Sequence, residues 1–152
     1  MAKDEAYRIA ERKIEEARRS GAKKLDLSRM ELTELPEALG QLTQLDSLCV
    51  PYNKLKVLPE SLGQLTQLKL LDLAFNKLTM ILESLGQLKQ LHSLHLSYNL
   101  LVDLPSSLAA IQDLKTFMLD GNPLNPELAA ADKEGSTPSN ATCARRRKRR
   151  WC

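Results

Sequence analysis

Three residue types used in nucleophilic catalysis recur at one interval in this 152-residue chain. Cys49, Asp72 and His95 follow one another at steps of 23 residues. A thiol, a carboxylate and an imidazole can form a catalytic triad when they lie within hydrogen-bonding distance. Equal spacing instead predicts one column of a repeated structure, in which Cys49 and His95 are two strands, or about 10 Å, apart. We therefore expect no catalysis from this set.

Metal and nucleotide chemistry also lack the residues they need. The two histidines, His92 and His95, would point to opposite faces of a strand, because side chains alternate along it. The sequence contains no Walker A, GxSxG or HExxH motif. We expect no enzyme activity, no metal site and no cofactor.

A second column is aromatic. Tyr52, Phe75 and Tyr98 are also 23 residues apart, although Phe, Tyr and Trp together make up only 4% of the chain. Tyrosine and phenylalanine offer a large contact area, and aromatic residues are enriched at binding hot spots. The column either anchors a protein partner or serves only to pack ring against ring across the sheet.

Both columns belong to a repeated unit of 23 residues. The stretches ALGQLTQL, SLGQLTQL and SLGQLKQL begin at residues 38, 61 and 84. Leucine, with 31 occurrences, falls mainly at positions 1, 4, 6, 11, 14, 18 and 21 of four units and a partial fifth, which span 22–44, 45–67, 68–90, 91–113 and 114–128. Alternation around positions 4 and 6 predicts a short strand with one buried face. Successive strands would stack into a parallel sheet, since one unit alone cannot bury its leucines.

The pattern LxxLxLxxNxLxxLPxxLGxLxxL over residues 22–128 resembles the leucine-rich repeat. The resemblance implies an α/β solenoid, a right-handed superhelix with a curved parallel sheet on its concave side. It also implies that the concave face binds a protein partner. Positions 3, 5, 7 and 8 of each unit are predicted to be the solvent-facing strand positions there, and the residues we assign to this surface are Asp26, Arg29, Tyr52, Asp72, Phe75, His95 and Tyr98.

Position 9 carries an asparagine in four units, and we expect a structural ladder from Asn53, Asn76, Asn99 and Asn122. An amide side chain there can bond backbone groups left unpaired where the strand turns. The first unit has Met30 at this position, which suits an edge. The third unit has Leu82 where a proline is usual, which we expect to be tolerated at the cost of one more apolar side chain near the surface.

The two ends differ from the repeats. Residues 1–21 predict a capping helix whose apolar stripe is Tyr7, Ala10, Ile14 and Ala17. Residues 22–128 form the predicted repeat domain. Pro123 and Pro126 interrupt the pattern, and residues 129–152 are predicted to be a disordered basic tail.

The net charge of +3 is concentrated in that tail. Without the six basic residues of this run, the chain has 16 basic residues against 19 acidic ones. The six are Arg145, Arg146, Arg147, Lys148, Arg149 and Arg150. Such a run is a nuclear-localisation patch, a contact for nucleic acid or anionic lipid, a processing site, or a solvated segment without a selected role.

The stretches ELPEALGQLTQL and LKVLPESLGQLTQL are similar to arrays of Roco-type proteins and of Ras-associated leucine-rich-repeat scaffolds. The lead-in RIAERKIEEARRSGAKKLDLS is similar to the start of bacterial Roco arrays. This implies a protein-interaction module in small-GTPase-related signalling. The alternatives are an adaptor directed to nucleic acid, the nucleus or an anionic membrane by the tail, and a structural or engineered array without a ligand.

Location and assembly follow from simpler features. The sequence has no apolar run long enough to span a membrane. Its three cysteines are odd in number and lack a paired spacing, which favours reduced thiols. We expect a cytoplasmic monomer, with the nucleus as the alternative if the tail acts as a localisation patch.

Overall fold

Five three-residue strands, one from each repeat, form a single parallel sheet in chain order. The computed structural model describes residues 5–133. The strands are β1 (Lys24–Asp26), β2 (Ser47–Cys49), β3 (Leu70–Asp72), β4 (Ser93–His95) and β5 (Thr116–Met118). Helix α1 (Glu5–Ser20) precedes them and helix α2 (Pro126–Lys133) follows. The predicted α/β solenoid with an N-terminal helix is confirmed.

Each strand is connected to the next by a five-residue 3-10 helix. These helices span Glu37–Gln41, Glu60–Gln64, Glu83–Gln87 and Ser106–Ala110. Paired residues in neighbouring strands are 23 apart, as in Lys24–Ser47 and Ser47–Leu70. The regular register means that any position of the unit forms a column through the whole array.

The core lies between the sheet and the row of 3-10 helices. The central residue of every strand is buried, and so is the residue at position 6. Phe117 takes the place of leucine in β5 and is fully buried. Burying one leucine side chain is worth about 1.5–3 kcal/mol. Because each of these side chains is covered partly by the next unit, the array is stabilised mainly by contacts between units and not within one unit.

The asparagine at position 9 joins each unit to the one before it. The Asn76 Oδ1 accepts a hydrogen bond from the amide of Leu55 at 3.1 Å. Its Nδ2 donates to the carbonyls of Val50 at 3.0 Å and Leu73 at 3.1 Å. Leu55 and Val50 belong to the preceding unit, and the same arrangement is found at Asn53, Asn99 and Asn122. Met30 has no preceding repeat to bond, and it packs partly buried against the core instead.

Leu82 adopts the backbone conformation of the prolines that it replaces. Its φ and ψ of −70° and 143° match the −70° and 144° of Pro59, and both residues immediately precede a 3-10 helix. The side chain is 8% exposed. Leu82 is thus tolerated, and its side chain packs with the core while it borders a surface groove between the third and fourth units.

Helix α1 covers the open side of the first repeat. Tyr7, Ala10, Ile14 and Ala17 are its buried residues. The helix ends at Gly21, whose φ of +67° lets the Ala22 amide donate to the Ala17 carbonyl at 3.1 Å. Within residues 5–133 no helix combines the length and the apolar character that crossing a bilayer requires.

Helix α2 corrects the prediction of disorder from residue 129. The Asn125 Oδ1 accepts a hydrogen bond from the Leu128 amide at 2.8 Å, which caps the helix, and Pro126 occupies its first position. Pro126 therefore begins a helix, whereas the sequence pattern indicated only that the repeats end there. Residues 134–152, with the basic run, lie outside the described residues.

Candidate functional site

Tyr52, Phe75 and Tyr98 stack face to face along the array, and we call these three residues the aromatic column. The ring centroids of Tyr52 and Phe75 are 4.4 Å apart and those of Phe75 and Tyr98 are 4.6 Å apart, with interplanar angles of 8° and 11°. The three side chains are 42%, 39% and 49% exposed. Because stacking covers their faces, the column offers mainly ring edges and the two phenolic hydroxyls to a partner.

Both ends of the aromatic column are closed by the neighbouring units. The Arg29 Cζ lies 4.1 Å from the centroid of the Tyr52 ring, a cation–π contact. At the other end Gly121 lies so close to Tyr98 that a Cβ would come within 2.4 Å of the Tyr98 Cδ1. The guanidinium and the glycine thus leave no open ring face into which a flat ligand could stack.

The aromatic column stands beyond the ends of the strands, which corrects the prediction that positions 7 and 8 are strand residues. The strands stop at position 5, and position 8 is left-handed, with φ of 60° at Tyr52 and 58° at both Phe75 and Tyr98. Arg29 and Gly121 share this conformation, with φ of 56° and 80°. Positions 7 and 8 cannot both face solvent in an extended strand, because its side chains alternate, so the backbone has to turn there.

This unusual backbone is held by hydrogen bonds between units. The Tyr52 amide donates to the Ala74 carbonyl at 3.1 Å, and the Phe75 amide donates to the Ser97 carbonyl at 2.9 Å. A left-handed non-glycine residue costs roughly 1–2 kcal/mol. The inter-unit bonds, the asparagine at the next position and ring stacking offset that cost. The rings are therefore fixed in place before any partner arrives.

The outward column on the sheet contains Asp26, Cys49, Asp72, His95 and Met118, which are directly paired in register. Together with position 3 they form what we call the strand face. The His95 Nδ1 lies 3.7 Å from the Asp72 Oδ2. Hydrogen bonds from the hydroxyl and the amide of Ser28 hold the pKa of the Asp26 carboxyl below its usual value. Asp26 and Asp72 carry two negative charges against the one positive charge of Lys24, so this face has one net negative charge when His95 is counted as neutral.

Cys49 is not prepared for nucleophilic chemistry. Burial raises the pKa of its thiol, and the charges of Asp72 and Asp26 raise it further. Asp72 stands between Cys49 and His95 in the register, so the imidazole is not the neighbour of the sulfur. Within the described range, no three His, Cys, Asp or Glu side chains are grouped to hold a metal ion.

A second surface was not singled out from the sequence. Val57, Met80 and Val102 are half exposed, at 55%, 53% and 50%. They lie close to a row of glutamates that open successive 3-10 helices, namely Glu37, Glu60 and Glu83. We call these six residues the acidic–apolar face. The sequence does contain a sign of this surface. Position 13 is valine in one unit and methionine in the next, and in both units a glutamate follows three residues later.

Comparison with known proteins agrees with this architecture. The Leucine Rich Repeat family model matches residues 67–88. No curated protein sequence matches the chain. Among solved structures, the BIR3–SERK2 complex from Arabidopsis thaliana is 36% identical over 64% of this chain and 55% of that chain, with a TM-score of 0.59. A leucine-rich-repeat protein of Leptospira interrogans is 28% identical over 68% of this chain and 32% of that chain, with a TM-score of 0.56.

The ectodomain of the plant receptor kinase GASSHO1/SCHENGEN3 from Arabidopsis thaliana, in complex with CASPARIAN STRIP INTEGRITY FACTOR 2, is also similar. It is 37% identical over 60% of this chain and 11% of that chain, with a TM-score of 0.56. The chain spans about a third of the Leptospira protein, about half of the chain in the BIR3–SERK2 complex and about a tenth of the receptor ectodomain. By its repeat, its sheet and these likenesses, the chain has the leucine-rich-repeat solenoid fold.

Proposed function

We propose that this chain binds a protein partner through the strand face and the aromatic column. The observation that carries the proposal is the aromatic column itself, three stacked rings that each remain 39–49% exposed. Isolated exposed apolar residues are common on protein surfaces, but three in contact form a patch. Aromatic side chains are also the residues most often found to carry binding energy.

The rigidity of the aromatic column supports the proposal. A partner loses less free energy on binding when the side chains it meets are already ordered. Stacking and the inter-unit hydrogen bonds supply that order here. The partner would meet ring edges and phenolic hydroxyls beside the carboxylates of Asp26 and Asp72, which favours a partner surface with apolar, hydrogen-bonding and basic groups.

The similar structures supply independent support. Two of them are complexes by their own description, BIR3 with SERK2 and the GASSHO1/SCHENGEN3 ectodomain with CASPARIAN STRIP INTEGRITY FACTOR 2. Those partners belong to those proteins. They support protein binding as the use of this fold without identifying the partner of this chain.

Affinity capture with three full-length proteins tests the proposal. Tyr52→Ala/Phe75→Ala/Tyr98→Ala removes the aromatic column, whereas Val57→Ala/Met80→Ala/Val102→Ala truncates three equally exposed apolar side chains elsewhere. We expect the first variant to lose proteins that both the wild type and the second variant retain. Equal capture by all three, with each variant folded by its thermal melt, would rule out the aromatic column as the binding site.

We propose small-GTPase-related signalling as the setting of this binding. Its support is the similarity of ELPEALGQLTQL and LKVLPESLGQLTQL to Roco-type and Ras-associated arrays. Proteins captured with a GDP analogue and with a GTP analogue should then differ, and the difference should disappear in the variant without the aromatic column. Capture that is independent of the nucleotide would contradict the setting while leaving the binding surface intact.

A further inference from the structure

The acidic–apolar face contains a groove between the third and fourth units. The groove has a volume of about 410 Å³ and its lining includes the apolar side chains of Met80, Val102 and Leu104. Glu60, Glu83 and Asp103 also line it. An apolar floor with carboxylates around it is suited to a segment that combines basic residues with a large apolar side chain.

The same surface continues towards the N-terminus. A smaller groove of about 220 Å³ lies between the first and second units, and its lining includes Val57 with Glu37 and Glu60. Within residues 5–133 the carboxylates of Glu37, Glu60, Glu83 and Asp103 form no ion pair with a basic side chain. The row therefore carries negative charge without an ion-pair partner in the described part of the chain.

We propose that this chain's own basic segment, Arg145–Arg150 with Trp151, docks on the acidic–apolar face. The segment carries six positive charges, and the remaining residues carry three more acidic than basic ones. Tryptophan has the largest apolar surface of any side chain and a single N–H donor, which suits a groove with an apolar floor and carboxylates at its edge. Arginine adds donors that match the planar carboxylate.

The chain leads towards the groove before it reaches that segment. The Asn125 amide donates to the Val102 carbonyl at 2.9 Å, and the Asn125 Nδ2 donates to the same oxygen at 3.2 Å. Helix α2 thus begins at a residue bonded to the groove lining, and eleven residues separate its end at Lys133 from Arg145.

Such a connection can span at most about 40 Å when fully extended. A short tether also holds its end at an effective concentration of the order of millimolar. A contact too weak to form between separate molecules is therefore populated within one chain.

Trp151 is the only tryptophan, so its fluorescence reports directly on the proposed contact. In the full-length protein we expect blue-shifted emission and a quenching rate with acrylamide several-fold below that of a free tryptophan. Glu60→Lys/Glu83→Lys/Asp103→Lys should shift the emission to that of a solvated indole and raise the quenching rate several-fold. The matched control, Glu11→Lys/Glu16→Lys/Asp113→Lys, reverses three exposed charges elsewhere and should behave as the wild type.

Three results would overturn the proposal. A solvent-like emission in the wild type would mean that Trp151 is not docked. Protection that survives the charge reversal would place it on another surface. Protection that is lost on dilution would show docking between two copies rather than within one. Far-ultraviolet circular dichroism of each variant separates these results from loss of the fold. Met80→Asp tests the apolar floor independently, and it should expose Trp151 to acrylamide as the charge reversal does.

Discussion

Gly121 lies directly against the face of the Tyr98 ring. A Cβ at residue 121 would be 2.4 Å from the Tyr98 Cδ1 and 2.7 Å from its Cε1, distances at which one of the two groups has to move. Gly121 also has a φ of +80°, which favours glycine for a separate reason. Contact and conformation thus both select glycine at the end of the aromatic column.

Gly121→Ala should therefore destabilise the protein by more than the cost of placing alanine at a positive φ. Gly21→Ala is the matched control, because Gly21 has a φ of +67° but no atom within 4 Å of the position of a Cβ. The control should cost about 1–2 kcal/mol of unfolding free energy. Gly121→Ala should cost about 1–3 kcal/mol in addition, from overpacking against Tyr98. Urea denaturation measures both, and equal losses would show that the ring moves aside freely.

The asparagine ladder predicts a difference between interior and terminal units. Asn76→Ala leaves the Leu55 amide without a partner in a buried site. The Val50 and Leu73 carbonyls keep the hydrogen bonds that they accept from the Nδ2 atoms of Asn53 and Asn99. At about 1–3 kcal/mol for a buried group left unpaired, we expect a loss of that size. Asn122→Ala should cost less, because its partners are only partly buried and water can replace the amide. Denaturation curves of the two variants that coincide would contradict this gradient.

Leu82→Pro should raise stability. The native φ of −70° is already that of proline, and no hydrogen bond from the Leu82 amide is found among the described residues. Proline reduces the freedom of the unfolded chain, which is worth about 0.4–1 kcal/mol at a compatible site. Part of this gain is offset by the smaller buried side chain. A lower melting temperature than that of the wild type would mean that lost packing outweighs the entropy gained.

The ion pairs of Glu15 predict a dependence on pH. Hydrogen bonding to Arg18, with a smaller contribution from Arg19, lowers the pKa of the Glu15 carboxyl from 4.5 to about 2. A group whose pKa is lower in the folded state stabilises the protein above its unfolded pKa and loses that effect as the pH falls. Glu15→Gln should therefore reduce stability at pH 7 and have a smaller effect near pH 2, where the carboxyl of the folded protein is about half protonated.

The effect of Glu15 should be modest because the side chain is exposed. Glu16→Gln is the control, since Glu16 is exposed and has no ion pair within residues 5–133. Urea denaturation of both variants at pH 7 and pH 2 makes the comparison. If Glu15→Gln and the wild type differed in unfolding free energy by the same amount at pH 7 and at pH 2, ionisation of the carboxylate could not be the cause.

The repeat and its sheet could be predicted because the leucines encode them directly. Positions 4 and 6 of each unit point into the core, and the interval of 23 residues sets the register of every pair of strands. Each unit contains this information, so an irregularity in one unit, such as Leu82, does not disturb the pattern. The same redundancy places the aromatic column in line before its exact geometry is known.

The backbone at the aromatic column could not be predicted from the aromatic residues themselves. Tyrosine and phenylalanine rarely adopt positive φ, and their spacing alone suggested a strand. Gly121, at the same position of the fifth unit, was the available indication of a left-handed turn. Helix α2 was missed for a related reason, because Asn125 and Pro126 serve both to end one pattern and to begin a helix.

The acidic–apolar face was missed because exposure depends on what neighbouring units cover. Val57 and Met80 resemble core residues in composition, yet both are more than half exposed. Only the stacked structure shows that position 13 lies outside the leucine core while position 14 lies within it.

The direction of the asparagine ladder has a consequence for how the protein is made. Asn53, Asn76, Asn99 and Asn122 each bond backbone groups of the unit before them. A ribosome delivers the earlier unit first, so its polar groups stay open until the asparagine of the next unit has emerged. In a nascent chain paused between units, only the last unit made would therefore have backbone groups still waiting for the asparagine of the next unit.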